Sequence, residues 1–126
     1  MTWTVPRPGR WFSWSEVCVS STVDPRELSA ALMTAPAHQV AIVALCAAVL
    51  DPLRDRVGPI RVTSGYRTRR LNTAIGGSAT SDHMTGCAAD IKAAGGDASW
   101  IADAATFPDG VVFTEGGNCP ALPIDQ

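Results

Sequence analysis

The longest ordered pattern of apolar positions begins at Pro36. Val40, Val43, Ala47, Leu50, Leu53 and Val57 recur at intervals of three and four, which predicts one face of a helix, and Gly58 and Pro59 stop it. Pro52 lies inside the pattern without an amide donor, so the helix should kink or split there. The period then changes. Ile60, Val62 and Ser64 alternate with Arg61 and Thr63, predicting a short strand. Thr68 to Ile75 reads as a brief helix closed by Gly76 and Gly77, and residues 87–92 as a second strand. Asp97 is the expected N-cap of a helix through Ala105, and Val111 to Glu115 the third strand. Residues 1–12, with Pro6, Pro8, Trp3 and Trp11, read as an extended arm lying on the domain. Helices precede most of the strands, so the expected class is α+β with a small, mostly antiparallel sheet.

Composition narrows this only modestly. A chain of 126 residues is long enough for one core and too short for two, so residues 1–126 are expected to form a single domain. Apolar residues at 46% and charged residues at 17% suit a globular protein. A net charge of −2, with both signs mixed along the chain, offers no footprint for nucleic acid. The apolar run Val40 to Leu50 is about half the length of a membrane span, and no span is expected. The N-terminus lacks the pattern of a secretory signal, so synthesis in the cytoplasm without a signal peptide is expected. Cys18, Cys46, Cys87 and Cys119 form no CxxC pair and read by default as buried free thiols.

Candidate chemistry concentrates in SDHMTGCAADI, residues 81–91. His83 lies in the loop before the second strand, Asp90 lies in that strand, and Gly86 allows the loop to fold back over it. Such a reversal can bring an imidazole and a carboxylate onto one ion. Zinc accepts both, and a catalytic zinc site takes three protein ligands, of which this stretch supplies two. The plainer alternative is a loop histidine beside a carboxylate that caps something local.

The surrounding residues favour the metal. VTSGYRTRRLN, residues 62–72, followed by IGGSATSDHMTGCAADI, residues 75–91, resembles the zinc D-alanyl-D-alanine carboxypeptidase and L-alanyl-D-glutamate endopeptidase family, which cuts peptides of bacterial cell walls. The elements that carry the resemblance are Ser64, Gly65, Tyr66 and Arg67, then Asn72, Gly76 and Gly77, then Ser81, His83, Gly86, Ala88 and Asp90. WFSWSEV, residues 11–17, is similar to the opening of many members, and the likeness covers residues 11–92. It implies a Hedgehog-like, DD-peptidase-like fold and a zinc peptidase acting on peptidoglycan stem peptides.

What the resemblance implies for each residue can be set against simpler roles. His83 and Asp90 would hold zinc. Arg67 would stabilise an oxyanion or grip a substrate carboxylate, against the alternative of a surface salt bridge with Asp82. Tyr66 and Ser81 are the expected substrate contacts, although Ser81 and Asn72 would equally brace the turn. Members of the family carry a further histidine ligand on a late strand, and this chain has no histidine after His83. Three explanations stay open: Cys119 is the third ligand, another subunit or protein supplies one, or the site has decayed. Glu115, closing the third predicted strand, is the candidate general base. His38, in the first turn of the long helix, reads as solvated. Two functions therefore remain. One is a zinc peptidase whose partner is a peptidoglycan peptide. The other is a catalytically degenerate member of the fold, used for binding or assembly with other phage structural proteins. The resemblance also suggests release at lysis or incorporation in a phage virion.

Overall fold

A computed structural model describes residues 2–93 of the chain. Four helices and a two-stranded antiparallel sheet follow one another as α1 (Pro25–Met33), α2 (Pro36–Leu45), α3 (Asp51–Val57), β1 (Ile60–Ser64), α4 (Arg69–Ala74) and β2 (Asp90–Ala93). Single 3₁₀ turns occur at Ser15–Val17 and Asp82–Thr85. The class is α+β, as the pattern predicts. The helix from Asp97 and the strand ending at Glu115 lie outside the described residues.

Helix α1 is not anticipated by the apolar pattern, yet its start is written plainly. The Asp24 side chain accepts from the Arg26 amide and Pro25 occupies the first turn, where its missing N–H costs nothing. Ala35 lies outside the helical region ahead of Pro36, and this corner turns the chain into α2.

From Pro36 the chain stays helical to Val57, and Pro52 is accommodated upstream. Residues Cys46–Leu50 form a π-helical turn in which the Asp51 amide reaches back to the Cys46 carbonyl. That wider turn precedes the proline ring, and the helix resumes as α3 with Pro52 in its first turn.

The buried face of this long helix differs from the predicted one. Gln39, Ile42, Leu45, Cys46, Val49, Leu50 and Leu53 point inward, whereas Val40 is 61% exposed and Ala47 faces solvent. The segment is apolar on nearly every side, so spacing alone could not single out a face, and the π-turn rotates the register midway. Pro36–Arg56 has the length and hydropathy of a membrane-crossing helix, but those seven side chains belong to this protein's own interior.

Around them gather Phe12, Trp14, Val17, Leu28, Leu32, Ile60, Val62 and Leu71. Each large apolar side chain buried this way contributes about 1.5–3 kcal/mol. The N-terminal arm lies on this core: Trp3 stacks on Trp14 with ring centroids 4.6 Å apart, and the Trp14 indole donates to the Val5 carbonyl. Gln39 ties the arm to the helices, accepting from the Thr4 amide at 2.7 Å and donating to the Leu32 carbonyl at 2.9 Å.

Strand β1 has the predicted bounds and alternation, with Ile60 and Val62 inward. Strand β2 begins later than expected, at Asp90. Its partners are Ile60 with Ala93, Val62 with Ile91, and Ser64 with Asp90, and the register shifts between Val62 and Ser64. Ala88 and Ala89 are buried ahead of the strand instead of paired within it. The irregular register sets Asp90 beside the end of β1.

Cys18 and Cys46 are buried free thiols, as expected, and burial pushes the Cys46 thiol up to about 12. Cys87 departs from that reading and is disulfide-bonded.

Candidate active site

The segment Ser64–Arg67 is strapped between two turns. On one side Phe12-Ser13-x-x-Glu16 builds a capping box: the Glu16 carboxylate accepts from the Ser13 amide at 3.0 Å, and the Ser13 hydroxyl accepts from the Glu16 amide at 3.3 Å. This fixes the turn that presents the Val17 carbonyl, which accepts from the Tyr66 amide at 2.8 Å. Gly65 is required by that approach, since a β-carbon there would sit 2.3 Å from the Val17 carbonyl oxygen. On the other side the His83 carbonyl accepts from the Arg67 amide at 3.0 Å.

His83 sits in the Asp82–Thr85 turn and is 0% exposed. Its Nδ1 lies 2.8 Å from the Gly65 carbonyl oxygen. A carbonyl only accepts, so Nδ1 carries the proton, and in the neutral ring the lone pair is on Nε2. That atom faces Asp90 Oδ2 at 3.6 Å. His83 is fully enclosed while the Asp90 side chain is 28% exposed and also faces Arg67, and a cation between the imidazole nitrogen and the carboxylate oxygen would be attracted to both. Tetrahedral zinc, with nitrogen and oxygen ligands at about 2.1 Å, sets two ligand atoms about 3.4 Å apart. The pair thus fits zinc in chemistry and in spacing, and the backbone bond to Nδ1 is the kind of support that orients a metal-binding histidine. No group of three metal-binding side chains occurs among the described residues, so a third ligand is not found there.

Gly86 shapes the turn that carries His83. Its φ of +82° is left-handed, and a β-carbon there would approach the His38 carbonyl oxygen at 2.6 Å. Ser81, also buried, accepts from the His83 amide at 3.2 Å and braces the same turn.

Arg67 is no surface ion pair. It is 7% exposed, with Nη2 3.6 Å from Asp90 Oδ2. Nη1 donates to Asn72 Oδ1 at 3.2 Å, and Nε and Nη2 both point at the Ser64 hydroxyl. Asn72 is held in turn by donating to the Ser78 carbonyl at 2.8 Å. The guanidinium is thus fixed as a rigid fork beside the two candidate ligands.

Tyr66 is buried, and its hydroxyl meets His38 Nδ1 at 2.9 Å. His38 is therefore half-buried and engaged, where its position in a first helical turn suggested a solvated residue. The two residues are 28 positions apart and share no linear motif, so nothing in the sequence announces the contact. Burial raises the Tyr66 phenol above its ordinary value. Arg67 borders two clefts. One of about 380 Å³ is lined by His38, Tyr66, Arg69 and Met84, and one of about 220 Å³ is lined largely by hydroxyls from Ser20 to Thr22, Thr63 and Ser64.

The structure thus brings together Tyr66, Arg67, Ser81, His83 and Asp90, while Glu115 and Cys119 lie outside the described residues. A buried histidine of fixed tautomer facing a carboxylate, with a clamped arginine alongside, supplies two of the three protein ligands a catalytic zinc site takes. The family model for Peptidase M15 matches residues 12–117. The chain belongs to this family of zinc-dependent peptidases. No curated protein and no solved structure matches the chain.

Proposed function

We propose that this protein is a zinc peptidase acting on peptidoglycan stem peptides, encoded by a phage and acting at lysis or from the virion. The observation that carries the reading is the placement of His83 Nε2 against Asp90 Oδ2 at 3.6 Å, with the imidazole proton held on the opposite nitrogen. His83 and Asp90 would hold the ion. The chemistry it supplies when bound is Lewis acidity toward a carbonyl oxygen and a lowered pKa for water. Arg67 faces the same space with a guanidinium that Ser64 and Asn72 keep from swinging away, and it stabilises the negative charge that develops on the scissile carbonyl oxygen. Tyr66 and Ser81 shape the substrate side, and Glu115 is the proposed general base.

A second reading has its own support. No histidine follows His83, and the described residues hold only two candidate ligands. On that reading the fold persists as a binding or virion component, and Cys119 or a neighbouring molecule completes nothing.

The deciding experiment incubates purified muropeptides with the protein and added zinc, and looks for a new amino terminus by mass spectrometry. The peptidase reading expects cleavage by the wild type and none by His83→Ala, together with weak zinc binding that the variant loses. Absence of cleavage under zinc-replete conditions selects the scaffold.

A further inference from the structure

The cleft on the α2 side of Arg67 has a charge pattern that the zinc chemistry does not use. Among the described residues its lining holds His38, Arg67 and Arg69 and no carboxylate. In a protein of net charge −2 this is a local excess of positive charge. The three arginines nearby differ in how they are matched. Arg67 faces Asp90, and Arg70 is bound by both oxygens of Glu27 at 2.8 and 2.9 Å. Arg69 is exposed and, among the described residues, forms no ion pair. The Tyr66 hydroxyl occupies His38 Nδ1, which orients the ring and leaves Nε2 for a ligand. Met84 supplies an apolar wall for methylene groups. The cleft across Arg67 shares that guanidinium but is otherwise lined, among the described residues, by hydroxyls and by Val19, Leu71 and Ile75.

We propose that the His38–Tyr66–Arg69 cleft is a subsite for a carboxylate of the peptide substrate, and that it gives the site a polarity: the anionic residue lies on the α2 side of Arg67. The proposal rests on the peptidase reading for the identity of the ligand as a peptide. Arg69 supplies the charge, His38 a directional hydrogen bond, and Tyr66 holds His38 in place. About 380 Å³ accommodates one residue of a peptide. The carboxylate belongs to an acidic side chain or to the peptide's own C-terminus.

The test uses the full chain with 13C-methyl methionine, so that the Met84 methyl reports occupancy of the cleft. Three peptides are titrated: acetyl-Ala-Glu-Ala-amide, acetyl-Ala-Gln-Ala-amide, and acetyl-Ala-Gln-Ala with a free C-terminus. At least one of the two carboxylate peptides should bind about fivefold more tightly than the neutral one. Which of them does so identifies the source of the carboxylate. Arg69→Ala should erase the preference, and Arg70→Ala, whose side chain is occupied by Glu27, should keep it. Equal binding of all three peptides, no movement of the Met84 methyl with any, or a preference that survives Arg69→Ala overturns the proposal. A preference that is present in a protein that cuts nothing leaves the subsite standing and removes the peptidase reading, so the two failures are distinguishable.

Discussion

Two polar environments in this protein are built on opposite terms. Beneath the N-terminal arm, Gln39 is enclosed by apolar side chains and both ends of its amide meet neutral backbone groups at 2.7 and 2.9 Å. At the end of β1, Arg67, His83 and Asp90 converge as ionisable groups, and Asp90 Oδ2 stands 3.6 Å from each of the other two. The first arrangement is closed, with short neutral hydrogen bonds that stabilise the corner between α1, α2 and the arm. The second is spaced too widely for hydrogen bonds across it and suits an ion or a substrate oxygen. Burial of polar groups marks structure in one place and chemistry in the other, and partner type and distance separate them.

The largest expected effect tests whether the apolar region carries stability alone. Leu50 is fully buried, and Leu50→Ala should lower the unfolding free energy by about 2–5 kcal/mol in chemical denaturation. Zinc affinity of the molecules that remain folded should be unchanged. A parallel fall in zinc affinity would show that the two regions are one cooperative unit.

Next in size is Arg67→Lys, which keeps the charge and loses the fork. On the proposed mechanism it should reduce hydrolysis about a hundredfold, chiefly in kcat, at a modest cost in Tm. Loss of Tm with full activity per folded molecule would make Arg67 a structural residue like Gln39.

Gly86→Ala joins the two regions, because the added carbon would press on the His38 carbonyl of α2 from the turn that holds His83. A left-handed backbone and a 2.6 Å contact should together cost about 1–3 kcal/mol and weaken zinc binding as the turn shifts. Zinc titration beside thermal unfolding separates the two consequences.

The smallest effect lies far from either region. The Arg26 side chain and then its amide hold the Asp24 carboxyl below its ordinary value. A depressed folded pKa stabilises above the unfolded value of about 4, and that contribution is lost as pH falls through the folded pKa. Asp24→Asn still caps α1 but does not titrate there. The Tm difference between wild type and variant should therefore be small, constant near neutrality, and should shrink only below about pH 4. Being exposed, the pair should weaken further in high salt.

Local chemistry was legible without a structure wherever it acts over a few residues. Period-two alternation fixed the bounds of β1, Gly58 and Pro59 ended α3, and the brief helix expected from Thr68 is α4, which starts one residue later with Thr68 as its cap. The order of Arg67, His83 and Asp90, with Gly65 ahead of Arg67 and Gly86 between His83 and Asp90, pointed to the family and to two of the candidate ligands. Even the unpredicted α1 had its cap and proline on display at Asp24 and Pro25.

Only tertiary structure decided which face of Pro36–Val57 is buried, because a helix apolar all round carries no stripe to read and a π-turn shifts its register. Only tertiary structure joined His38 to Tyr66, turned Arg67 inward onto Ser64 and Asn72, and set the proton of His83 on Nδ1 by supplying the Gly65 carbonyl. Sequence determines what a residue can donate, accept or bury. Which neighbour it meets depends on chain segments tens of positions away, and that encounter fixes a tautomer, an orientation and a site.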